Sequence, residues 1–122
     1  MSDFMTYAEY MAPCRTLDGK PDCAAQSAKH KEYMRQVIQD AGGPKAFAIR
    51  IPASLERIRT ALDEGDKHLN SIPLRAWDMA ATRISSRVHA SVKKRGSWVS
   101  PAVAVCVLKH AAILLVEEQN NA

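Results

Sequence analysis

The stretch AGGPKAFAIRIPASLERIRTALDEG, Ala41 to Gly65, decides how this chain is read. Gly42-Gly43 stops the segment before it, and Pro44 can open a new helix because its missing N–H would be unpaired there anyway. Amphipathic LERIRTAL follows after Ser54, with Ile58 and Ala61 at helical spacing. Between the two lies AFAIRIP, which supports two readings. As a strand it alternates, with Phe47, Ile49 and Ile51 on one side and Ala46, Ala48 and Arg50 on the other, and it stops at Pro52. As a short helix, Pro44 to Ile51, it is an alanine-rich support for the helix from Ser54 to about Leu62.

Outward from this stretch the pattern is helical on both sides. Tyr33, Met34, Val37, Ile38 and Ala41 recur at three and four, predicting a helix from about Ala24 to the glycine pair. Beyond the polar connection from Gly65 to Ser71, one long helix is expected from about Pro73 to Lys94, capped by Asn70 or Ser71. Trp77, Ala81, Ile84 and Val88 line one side of it, and Arg83, Arg87 and Lys94 form a stripe on another. Lys93-Lys94-Arg95-Gly96 closes it with positive charge, which suits a helix C-terminus. Ser100-Pro101 starts a last helix running to about Glu118. Its middle is apolar nearly all round, as expected of a central core helix or half of a homodimer interface. At the other end, Thr6 and Glu9 are spaced as a capping box, Pro13 closes that turn, and Asp18-Gly19 marks a loop. The expectation is an all-α fold of about five helices. Residues 1–22 form an N-terminal arm, and residues 23–122 form one helical domain.

The 122 residues are 47% hydrophobic and 25% charged, which suits one globular domain. The charge is unevenly spread. Residues 44–95 carry 11 Lys/Arg against 5 Asp/Glu, whereas the segments on either side are each slightly acidic. Such a concentration is expected where a chain faces phosphates, and it is also what a solvated basic surface looks like. Cys14, Cys23 and Cys106 are odd in number and accompany no secretory signal, so no disulfide framework is expected. The four histidines are scattered, CxxC is absent, and no metal or cofactor is implied. The cytoplasm is the expected compartment. No nucleophile–base pair or phosphate-cradling loop marks an enzyme. Trp77 belongs on an apolar helix side; Trp98, in a loop, has partial exposure or seating of the last helix as its alternatives, and a core position is the expectation for both.

The spacing in the opening stretch resembles the helix-turn-helix of lambda-repressor-like (Cro/CI-type) phage regulators. Around Ala48, the small residue where two helices would cross, Phe47, Ile51, Ala53, Ile58 and Ala61 occupy the template's apolar positions. The likeness covers about residues 30–82, with the helix-turn-helix at about 44–62. Pro52 stands where that family's turn carries a glycine with positive φ, so the turn here must be built differently.

The resemblance implies a sequence-specific binder of double-stranded DNA, a regulator of phage or mobile-element type. It maps base contacts onto Ser54, Leu55, Glu56, Arg57, Arg59 and Thr60. Lys45, Arg50, Arg83, Arg87, Lys93 and Lys94 become candidates for phosphate contact. The strand reading implies instead a ribbon-helix-helix protein, whose outward residues would be mostly alanine. A third possibility is an ordinary helical hairpin with solvated arginines. From another class comes a small protein-binding module acting on a host protein complex, which would expose a contiguous apolar or acidic patch.

Overall fold

Four elements start where side chains can take up the unpaired N–H groups of a helix N-terminus. The Glu9 N–H donates to Thr6 Oγ1 (3.1 Å), the Ala25 N–H to Asp22 Oδ1 (3.0 Å), the Arg57 N–H to Ser54 Oγ (3.1 Å) and the Val103 N–H to Ser100 Oγ (3.3 Å). These caps open α1 (Tyr7–Met11), α2 (Cys23–Asp40), α3 (Leu55–Asp63) and, after two further helices, the last one. Those two are α4 (Leu74–Thr82) and α5 (Ser85–Lys94), and the last is α6 (Pro101–Asn120). A 3-10 helix, Pro44–Arg50, lies between α2 and α3. This computed structural model describes residues 5–121. Among them there is no strand, only an isolated bridge between Arg15 and Pro21, so the chain is all-α.

Helix α6 occupies the centre. Ala104, Val105, Val107, Leu108, Ala111, Ala112, Leu115 and Val116 are buried on it, because α2, the 3-10 helix, α3, α4 and α5 all pack around it. Of the two expectations for Pro101 to Glu118, the central core position is the one the fold shows, since this chain's own elements fill most of the apolar surface of that helix. Phe47 and Trp77 are fully buried beside it, each contributing about 2–3 kcal/mol of apolar burial. No helix of the described residues is long and apolar enough to cross a membrane.

The long helix expected from Pro73 to Lys94 is two helices. Arg83 and Ile84 adopt ψ of −12° and −4°, and the axis breaks between Thr82 and Ser85. Hydroxyls there turn back on the chain: Thr82 Oγ1 donates to Asp78 O (2.9 Å) and Ser85 Oγ to Thr82 O (3.1 Å). Neither Asn70 nor Ser71 caps α4. Their N–H groups donate to the Asp66 carboxylate (both 2.8 Å), and Pro73 precedes the helix with no side-chain cap.

The AFAIRIP segment is helical but wound as a 3-10 helix. Gly42 and Gly43, at φ 116° and 84°, reverse the chain into it in a backbone region that side chains rarely adopt. Ile51 then leaves in an extended conformation (φ −67°, ψ 125°), as the following proline requires. Pro52 therefore follows a helical turn and ends no strand, which removes the ribbon-helix-helix reading.

The N-terminal segment is part of the packed body. Tyr10 stacks on Tyr33 of α2 with ring centroids 4.3 Å apart. The Met5 N–H donates to Gln36 Oε1 (2.8 Å), and the Tyr7 N–H donates to Arg95 O (2.7 Å). Arg95, part of the positive charge that closes α5, is buried between α2 and this segment.

Candidate binding face

Three residues per turn set the outcome at the 3-10 helix. That period places Pro44, Phe47 and Arg50 along one edge, with Phe47 in the core, and turns Ala48 and Ile49 outward. Ala48 is exposed, so it does not form the close helix crossing expected of it. The 3-10 helix and α3 each pack chiefly on α6 rather than on each other. Ile58 and Ala61 are buried as the template requires, while Ile51 and Ala53 are half-buried.

The six residues mapped to base contact divide. Ser54 caps α3, and the Thr60 hydroxyl donates to Glu56 O (3.0 Å), so both hydroxyls already have local partners. Leu55 is partly buried against the core. The Arg59 guanidinium turns towards the C-terminal end of α6, where Nη2 donates to Gln119 Oε1 (2.7 Å). Its Nε is buried without a partner. Glu56 and Arg57 project into solvent.

The phosphate candidates divide as well. Lys94 Nζ lies 3.0 Å from Asp40, and Arg95 reaches the same carboxylate. Burial works against ionisation of Asp40, but hydrogen bonds from Lys94 and Arg95 outweigh it and hold that carboxyl below its ordinary range. Lys94 is thus committed within the molecule. Lys45, Arg83, Arg87 and Lys93 are exposed, and Arg50 is half-buried. Arg87 leans over Gly42, its Nη1 3.7 Å from where a Cβ would stand.

Arg50 and Arg83 converge on a shallow groove of about 340 Å³ between the 3-10 helix and α4, floored by Ile51, Pro52, Ala76 and Ala80. Ile49 (83% exposed) and Met79 (60%) stand at its edge. Neither arginine forms an ion pair among the described residues. The apolar half of this face was missed in the sequence, where Ile49 shared a strand side with core-bound Phe47. Met79 could have been found there, since it lies two residues on from Trp77 and so off the buried side of α4.

The chain matches no protein-family model, and neither a curated protein nor a solved structure was found similar to it.

Proposed function

We propose that this chain is a small protein-binding module, which docks through the groove between the 3-10 helix and α4. The observation that carries the reading is the pairing of solvent-exposed Ile49 and Met79 with Arg50 and Arg83, two guanidiniums without a carboxylate partner. An exposed isoleucine at the edge of a concave apolar surface gains by being covered, and flanking arginines favour acidic residues in whatever covers it. Arginine and methionine are also residue types enriched at interfaces. The occupant best matched in chemistry is a short segment with one or two large apolar side chains flanked by Asp or Glu.

The test is selection of binders from a random peptide library against the immobilised chain, with Ile49→Asp and Arg83→Glu as counter-targets. The expected winners carry acidic residues beside a large apolar one. Ile49→Asp should weaken them at least about 30-fold, roughly 2 kcal/mol. Winners without acidic residues, or winners indifferent to both substitutions, would discard the reading.

A second reading has its own support. Lys45, Arg83, Arg87 and Arg57 are exposed cations with no ion pair, as contact with double-stranded DNA would need. It retains the regulator expectation, with Glu56 and Arg57 as the base-reading side chains that have no local partner. Binding to random-sequence duplex across a salt series separates the two readings. Under the DNA reading Arg83→Ala lowers the salt slope by about one. Under the protein-binding reading no duplex is retained even at low salt.

A further inference from the structure

Between α2 and α6, two of the histidines that are scattered in sequence meet. His30 of α2 and His110 of α6 approach with Nε2 atoms 3.3 Å apart, and His30 Nδ1 lies 2.7 Å from the Tyr10 hydroxyl. One proton between the two Nε2 atoms makes a hydrogen-bonded chain Tyr10–His30–His110 in which both imidazoles are neutral. Burial pushes His30 below the usual histidine range. It pushes His110 down to about 4, helped by the charges of His30, Lys31 and His68.

The pair faces a cleft of about 900 Å³, within the size range of small-molecule sites. Leu62, Cys106, Ile113 and Leu114 give it apolar walls. From α2 it is faced by Lys31, Glu32 and Arg35, and Glu32 is tied to Arg35. The connection after α3 adds Lys67 and His68, while α6 adds Lys109 and Glu117. Lys31, Lys67 and Lys109 form no ion pair among the described residues, so the cleft is electropositive.

Two imidazole nitrogens at this separation would also suit a metal. However, no three His, Cys, Asp or Glu side chains converge on one point among the described residues, and three lysines oppose a divalent cation. We propose that the cleft binds a small organic anion, with an aromatic or aliphatic body against Leu62, Ile113 and Leu114 and its charged head against the His30–His110 pair. Binding takes up one proton from solvent. With that proton added, each Nε2 carries a hydrogen, the hydrogen bond between the two nitrogens is given up, and the rings turn so that both donate to the anion, whose charge offsets the imidazolium. Lys31 at the rim adds attraction without entering the pair.

The experiment is calorimetric titration of the intact chain with naphthalene sulfonate, an anion whose charge is constant across the pH range, and with the neutral naphthyl alcohol of the same shape. Expected are binding of the sulfonate alone and affinity rising about tenfold from about pH 8 to about pH 5. The heat should also depend on the buffer's own ionisation enthalpy, as proton uptake demands. His110→Gln should abolish the pH dependence. Lys31→Ala, on an exposed side chain that leaves the core intact, should weaken binding about threefold or more. Equal binding of the alcohol, absence of sulfonate binding, or an affinity unchanged across this pH range would overturn the proposal. Should the His110 variant fail to fold, an unaltered affinity in the Lys31 variant would overturn it alone.

Discussion

Arg95 is 3% exposed, and its guanidinium donates to Met5 O (2.7 Å) and Gln36 Oε1 (3.1 Å) while also meeting Asp40. Its neighbour Lys94 shares the same carboxylate from an exposed position. A planar guanidinium can reach three acceptors at once, and an ammonium on a lysine stem cannot reproduce that fork. Truncating a buried charged partner leaves the others desolvated, so Arg95→Ala should cost about 3–5 kcal/mol in denaturant unfolding. Because Met5 O accepts from this side chain, amide exchange over residues 5–11 should accelerate along with the loss of stability, although the Tyr7 N–H keeps the backbone carbonyl of residue 95. If α1 stays protected in that variant, Tyr10 stacking on Tyr33 holds the segment by itself. Removing Lys94 instead should change stability by less than about 1 kcal/mol, since that pair is open to solvent.

Among the elements, α3 and the 3-10 helix carry the ambiguity of the central stretch. Ser54 caps α3, and Ser54→Ala should cost about 1 kcal/mol of stability. Under the DNA reading, which leaves base contact to Glu56 and Arg57, the same change should leave the affinity of the folded chain unaltered, so unfolding and binding measured together separate a cap from a contact. The 3-10 helix owes its outward Ile49 to a three-residue period that hides Phe47 alone. Helix α6 is sensitive in a different way. Leu108 is fully buried at the middle of α6, where no neighbour is free to collapse, so Leu108→Ala should cost about 3 kcal/mol or more. That loss should appear as a shifted denaturation midpoint with an unchanged slope.

At the scale of the whole molecule, the His30–His110 pair links stability to pH. Both pKa values are lowered in the folded state, His110 from 6.5 to about 4. The unfolded chain therefore binds more protons in that window, and stability rises with pH there. The contribution is complete above pH 6.5 and is lost as pH falls towards 4. Allowing for solvent screening, the loss is on the order of 2 kcal/mol, read as a falling urea midpoint. A midpoint that is flat over this window would mean that the imidazoles protonate without opening the fold.

What the sequence determined by itself is whatever depends on neighbours a few residues apart. The Thr6 and Ser100 starts, the glycine-pair stop, the all-α class and core Trp77 were all legible there, because capping, period and backbone freedom are local. Trp98, expected in the core, is instead exposed, since no helical period fixes the side of a loop residue. Tertiary structure alone decided which cations are spent inside the molecule, as Arg95 is on Asp40 and Arg59 on Gln119, across separations of 55 and 60 residues. It also decided that α6 is enclosed by its own chain, and that His30 and His110, 80 residues apart, share a hydrogen bond. A helical pattern specifies which side of an element is apolar, but not which element will cover it. Partners for charged side chains are set only once those elements have packed.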